Sequence, residues 1–486
     1  MSELLIRNGL LFDHDICTSA DILIREGKIA AIGPNLTTSG RVLDAQGKVV
    51  MPGFINAHTH SNQALEKGLC DRYPLDAWMV IASYGGANAE LTPRDLYVSA
   101  QIGAIEMIRT GSTSVLDMPR VDLRTFEAGS NAIMQAYIDI GFRASVAVSY
   151  TDQSFPASLP LELIPNLSDS LQPKRTAAVA DVIGHLESFI ARWKGKHALV
   201  TPMVGPSSLP RCSTELFEAS VDLCRRCGVG MQTHLLSGKS QVFVGKQRYG
   251  GSTVDFIRRM GGLEEWATFA HSIWLDDAEV SMLEQSNAVA VHNPVSNMKL
   301  GAGLAPMVEL RRQGGRIALG SDGASSADSQ NMFETVKGAA ILHRINHTPD
   351  QWIMAEDALD MVWNGGAAAT RQKVGKIAVG YEADLVVLHS RNMFLAPKDQ
   401  LAGQIVHSEL GGSVDSTIVA GEILMLEGKI ATIDEAAIHA EAQEIVGRIY
   451  AGLPERMKKF EDVRPMFDEL ERRVHAAPLH FARFCS

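Results

Sequence analysis

His58 and His60, one residue apart, are the first residues in this chain whose type and spacing can do chemistry. Side chains of an extended segment alternate with period two, so both imidazoles project to one side and can reach one metal ion. His234, His271 and Asp322 each stand at the end of a short apolar run that reads as a β-strand. A single strand-end histidine is more often a hydrogen-bonded polar residue than a ligand. Five metal-capable groups on strand ends change that balance, provided the fold makes those ends converge. Imidazole nitrogens with a carboxylate suit Zn²⁺, and would also accept Fe²⁺, Co²⁺ or Mn²⁺. Such an ion lowers the pKa of bound water toward 7, which gives hydroxide at neutral pH. Hydrolysis is therefore the chemistry to expect.

The elements that must position these groups follow from the hydrophobic pattern. Short apolar runs alternate with helix-length amphipathic stretches, the pattern of βα units and a parallel sheet. The candidate strands are Gly53–Ala57, Ser114–Met118, Arg143–Ser149, Ala198–Gly205, Gly230–His234, Ala267–His271, Ala288–His292 and Arg316–Ser321. Eight such units predict an α/β fold with a (β/α)₈ TIM-type barrel, in which all strands deliver their C-terminal ends to one face. Thr92-Pro93-Arg94-Asp95 reads as the start of a helix, with a capping residue, a first-turn proline and an acidic third position, and Gly111 closes it. The first 30 residues alternate apolar and polar and place Gly27 at a hairpin turn, and 383–388 and 416–423 read the same way. The expected organisation is a small β-sandwich domain from 1–52 and 376–432, a metal-dependent barrel over 53–375, and a C-terminal helical extension over 433–486, in which Glu435–Lys459 reads as one or more exposed helices. The Pro- and Ser-rich stretch 154–173 reads as a long loop over the site.

Bulk composition narrows the partners. The chain has 486 residues, 46% hydrophobic and 21% charged, with a net charge of −11 and no basic block. That excludes the electrostatic footprint of a nucleic-acid or anionic-membrane binder and favours a small-molecule substrate. No basic start followed by an apolar run and no long uncharged apolar stretch is present, so a cytoplasmic protein is expected. The six cysteines are scattered and read as free thiols. Cys224 and Cys227 form a CxxC, but they fall on the apolar face of a helix with Phe217 and Ser220, where packing is the expected role.

Three stretches carry a resemblance: Met51-Pro52-Gly53-Phe54-Ile55-Asn56-Ala57-His58-Thr59-His60, His292-Asn293-Pro294-Val295-Ser296-Asn297, and Leu319-Gly320-Ser321-Asp322-Gly323. The chain resembles the amidohydrolase superfamily, in the branch of the triazine chlorohydrolases and aminohydrolases, guanine deaminase and the methylthioadenosine/adenosylhomocysteine deaminases. The resemblance implies His58, His60, His234 and Asp322 as metal ligands, with Asp322 also taking the proton of water. It places His271 beside that water as a catalytic residue, and it suggests a homo-oligomer such as a homodimer. Binuclear members carry a lysine on the fourth strand. Ala198–Gly205 has none, so one divalent ion is expected, with zinc foremost.

The deaminases of this branch carry a glutamate three residues after the fifth-strand histidine, where it protonates a ring nitrogen. This chain has Ser237, whose hydroxyl has no accessible pKa near neutrality. Three readings stay open. The substrate can be one that needs no such acid, with a good leaving group or a urea- or amide-like centre. Lys239, Gln241, Asp71 or Asp76 can substitute and preserve aminopurine, pterin or triazine deamination. Or the chain is an inactive metal-binding homologue. For the pocket, Trp78, Tyr84 and Trp274 lie in segments following strand ends and offer aromatic faces to a planar substrate, with Ser237 nearby. Asn297, Lys299, Ser325 and Ser326 can contact substrate or only cap helices.

Overall fold

The structure is a computed structural model that describes residues 3–14, 17–81, 91–164, 172–389, 393–395 and 400–484. Tyr84 lies outside the described residues, as does part of the 154–173 stretch. The eight expected strands are present, each beginning and ending within two residues of its expected bounds. They are β1 Phe54–Thr59, β2 Ser112–Asp117, β3 Arg143–Tyr150, β4 Val200–Pro206, β5 Met231–Leu235, β6 Ala267–His271, β7 Val289–His292 and β8 Arg316–Leu319. They pair in parallel and in chain order.

The barrel closes between β8 and β1 through the residues just after β8. The Asp322 N–H donates to His58 O at 2.9 Å. The Asn56 side chain accepts from Ser321 N at 3.0 Å and donates to Ser321 Oγ at 2.8 Å. Small and medium side chains, among them Ala57, Ala147, Val291 and Ala318, fill the interior, so the barrel is a packed core with its site on the rim. Pro93–Arg109 is a helix as expected, with the reciprocal Thr92 and Asp95 capping box in place. Thr214–Cys227 buries Leu216, Phe217, Val221 and Cys224, so the CxxC sits on a packed helix, and both of its cysteines are free thiols.

The terminal segments build a second, mostly antiparallel sheet. Leu385–His389 runs antiparallel to Lys48–Pro52, which joins the C-terminal strands to the N-terminal ones. Glu26 and Gly27 take the positive φ angles that the hairpin between Cys17–Arg25 and Lys28–Gly33 requires. The sheet has a core of its own, containing Ile6, Ile22, Val50, Leu385 and Ile418. Its tie to the barrel is Arg143 at the start of β3, which donates to both Asp384 oxygens at 2.6 and 2.9 Å and to Glu382 at 3.0 Å.

Of the C-terminal helices, the first was expected to be exposed but buries one face, and the second is packed as well. Glu435–Ala451 buries Ile438, Ala442, Ile445 and Ile449, a stripe at helical spacing. In Leu453–Ala476, Phe460, Phe467, Leu470 and Val474 are buried in one cluster with Cys70, Ala77, Trp78, Phe155 and Leu300. This last helix therefore roofs the loops at the C-terminal face of the barrel.

Candidate metal centre

Four strand ends deliver the site. His58 and His60 come from the end of β1, and β5 carries His234. His271 ends β6, and Asp322 follows β8 by three residues. His271 and Asp322 both adopt left-handed backbone, with φ of 72° and 65°. Such a conformation is costly for residues with a Cβ and collects at functional sites.

The histidines are aimed by what their outer nitrogens touch. His60 Nδ1 donates to Met118 O at 2.7 Å, and His234 Nδ1 to Ser207 O at 2.6 Å. A carbonyl oxygen can only accept, so in both rings Nδ1 carries the hydrogen and the Nε2 lone pair points inward. His58 Nδ1 lies 2.8 Å from Gln232 Oε1, and its Nε2 is wholly buried without a hydrogen-bond partner. His234 Nε2 is 3.3 Å from His60 Nε2. Asp322 Oδ1 stands 3.3 Å from His60 Nε2 and 3.6 Å from His58 Nε2. Ligand atoms of His58, His60 and His234 lie within 4.8 Å of one another, as do those of His58, His271 and Asp322. Inward lone pairs, an orphaned buried nitrogen and a carboxylate at one point are the donor set of a divalent ion, and the residues fit such a group.

Electrostatics agree for His58 and His234. Burial holds His58 well below the ordinary imidazole value and pushes His234 down to about 3, so both stay neutral, as ligands must. Burial acts on His60 in the same direction, but Asp322, facing its Nε2, outweighs it and raises His60 as long as no cation stands between them. Burial alone would raise Asp322. The facing imidazoles of His60, His271 and His58 hold it well below the usual carboxylate range. Its Oδ2 also accepts from Ser296 Oγ, and its Oδ1 from Gly323 N at 2.7 Å. His271 is lowered mainly by burial. Its Nε2 is 3.8 Å from Asp322 Oδ2, and its Nδ1 is 2.9 Å from Asn297 Oδ1.

A cleft of about 750 Å³, counted to its open mouth, lies over these groups, with His60, His234, His271 and Asp322 in its floor. Trp78, Leu300, Ser237 and Gln241 stand in its walls. Trp78 donates its indole N–H to Ser325 O at 3.2 Å. Trp274 does not reach the cleft, contrary to expectation. Positive φ at His271 and Ser272 turns the chain under the barrel rim, so Trp274 is 1% exposed, donates to Ala302 O at 2.8 Å and packs against Phe484. Of the groups considered as substitute acids, Lys239 donates to His475 O at 2.8 Å, and Asp71 is exposed. Asp76 occupies a separate compartment with Ser240 and Glu471, where burial and the charge of Glu471 push it up to about 7. Lys299 pairs with Asp328, and Ser325 and Ser326 donate to Gln63 and to Gly323 O. Gln232, Ser296 and Asn293 were not singled out from the sequence. Gln232 had a signal, since it lies two residues before His234 and therefore on the same face of β5.

The amidohydrolase family model matches residues 49–424. The chain belongs to the amidohydrolase family. It is 33% identical over 431 residues to a 5-methylthioadenosine/S-adenosylhomocysteine deaminase of Thermococcus sibiricus, covering 87% of this chain and 94% of that protein. It is 30% identical over 461 residues to a 5'-deoxyadenosine deaminase of Methanosarcina barkeri, covering 93% of this chain and 100% of that one. A zinc-bound adenosine deaminase from Xanthomonas campestris shares the fold with a TM-score of 0.83 at 22% identity, over 93% of this chain and 99% of that one. This amidohydrolase is an enzyme by its kinship. No helix among its described residues is long and apolar enough to cross a membrane.

Proposed function

We propose that the chain is a mononuclear hydrolase that holds one zinc ion through His58, His60, His234 and Asp322. Its target is an electrophilic sp² carbon in a small, planar, nitrogen-containing substrate, from which it releases ammonia, an amine or another leaving group. The observation that carries this reading is the convergence of three inward Nε2 atoms and one carboxylate in the floor of a single cleft. A divalent ion there supplies water of lowered pKa. Asp322, whose Oδ2 is held by Ser296, accepts the proton that water gives up. Burial keeps His271 neutral, and its Nε2 beside Asp322 can orient the attacking oxygen or stabilise charge on the attacked group. Trp78 offers an apolar wall to a planar ring.

The deaminase names of the relatives support an amine-bearing substrate. Ser237 in the cleft wall supports a wider class of leaving groups. The test is a panel of aminopurine, aminopterin, triazine and urea substrates, scored for ammonia, amine or chloride release on protein of measured metal content. Metal-dependent turnover of at least one planar nitrogen-containing substrate is expected. Stoichiometric metal with no turnover across the panel would overturn the reading in favour of a binding protein.

A further inference from the structure

The wall of the cleft beside His234 is built by a turn that fixes one amide. Leu236 takes a φ of 46°, and the following Ser237 N–H donates to Gln241 Oε1 at 3.0 Å. A backbone N–H can only donate, so the oxygen of that amide is committed to Ser237 and Nε2 is turned the other way. Gln241 and Ser237 both line the cleft with His234, His271 and Asp322. Gln241 Nε2 makes no hydrogen bond to a described residue, and Ser237 Oγ is buried without a partner. Lys239, Asp71 and Asp76 all lie elsewhere. This wall therefore offers N–H and O–H groups to a ligand, and no carboxyl among the described residues.

We propose that Gln241 faces the atom next to the attacked carbon, and that its N–H restricts the enzyme to electron-poor azaheteroaromatic rings, which can react without protonation at that atom. The inference rests on the hydrolase reading and names its substrate class. In the reaction, the oxygen of water bonds to the ring carbon and its proton passes to Asp322. The C=N π pair moves onto the ring nitrogen, where charge collects. An amide cannot neutralise that charge by proton transfer but can stabilise it by a hydrogen bond. The nitrogen pair then re-forms the π bond as the leaving group departs with its bonding electrons, and the proton on Asp322 goes to the leaving group or to solvent. Overall, water and Ar–X give Ar–OH and HX. An electron-poor ring can carry the negative charge, whereas an electron-rich ring needs an acid.

Gln241→Glu tests this with little change of shape, because its carboxylate still accepts from Ser237 N–H while its other oxygen brings an acid into the cleft. The probes are the chloro and amino derivatives of one s-triazine and of one purine nucleoside, assayed with metal content measured for every variant. Wild type is expected to prefer the chloro member of each pair by about tenfold or more in kcat/KM. Gln241→Glu should shift that ratio toward the amino member by about tenfold, with a new pH limb from the added carboxyl. Independently of turnover, calorimetric binding of the same rings carrying hydrogen in place of the leaving group should weaken about five- to tenfold in Gln241→Leu. An unchanged leaving-group ratio in fully metal-loaded Gln241→Glu overturns the proposal. So does equal ring binding by wild type and Gln241→Leu, or no ring binding by metal-loaded wild type. Wild type that binds the rings through Gln241 but turns over neither member of a pair would instead refute the hydrolase reading.

Discussion

Replacing Gln232 with leucine should weaken metal binding although Gln232 is not a ligand. Its amide is wholly buried, with Oε1 accepting from His58 Nδ1 at 2.8 Å and Nε2 donating to Ala57 O at 2.9 Å and Thr268 Oγ1 at 3.2 Å. Leucine is of similar size, so the cavity term is small. It leaves the His58 N–H without a partner and removes one donor from Ala57 O; a buried orphan costs about 1–3 kcal/mol and a lost hydrogen bond about 0.5–1.5 kcal/mol. The metal-free protein should therefore lose ~1.5–4.5 kcal/mol of stability. The His58 ring also loses the contact that fixes its tautomer and plane, and loss of such a partner typically weakens metal affinity ~10–100-fold. Gln232→Glu keeps the acceptor for His58 but loses the donor to Ala57 O, so its affinity should fall less. Competition with a chromogenic chelator measures affinity, and denaturant melts of metal-free protein measure stability. If Gln232→Leu binds zinc as tightly as wild type while losing stability, His58 is not aimed at the metal by Gln232 and the reasoning fails.

Three further outcomes follow from the same geometry. His271→Asn should keep its metal and lose turnover by ~10²–10⁴-fold, and a variant that also loses its metal would make His271 a ligand. His234 is pushed down to about 3 by burial. Its contribution to metal-free stability is therefore complete above the unfolded value of about 6.5 and is lost as pH falls from there toward the folded value, which melts at about pH 7, 5.5 and 4 would follow. Stability that stays flat over that window would contradict the burial of a neutral His234. Arg143→Met strips the nearly buried Asp384 of its cation. A loss of ~3–5 kcal/mol in denaturant melts is expected, with metal content unchanged.

Much of the barrel is legible in the sequence because parallel strands buried on both faces read as continuous apolar runs, and each run here ends at a polar residue or a turn. The metal-capable residues are legible for a related reason. His58, His60, His234 and His271 sit on strands or at their ends, where backbone geometry alone dictates which way a side chain points. Apart from Gln232, which lies on β5, the residues misjudged or missed depend on the path of a loop. Trp274 was expected in the cleft, but positive φ at His271 and Ser272 reverses the chain before it. The packing of the last helix is not legible, since nothing local to Phe460 or Phe467 reveals that Trp78 and Phe155 are brought beneath it. The role of Gln241 follows from the turn at Leu236, and a left-handed leucine has no sequence signature.

The central claim is that three imidazoles and one carboxylate bind a single divalent ion, and X-ray absorption spectroscopy of the zinc-loaded protein tests it most directly. The expected result is one ion per chain in a nitrogen and oxygen shell at about 2.0–2.1 Å, with the multiple-scattering pattern of three imidazoles. Asp322→Ala and His234→Ala should each lose the ion or alter that shell. No stoichiometric uptake of zinc, a sulfur ligand at about 2.3 Å, or a shell unchanged in both variants would contradict the account.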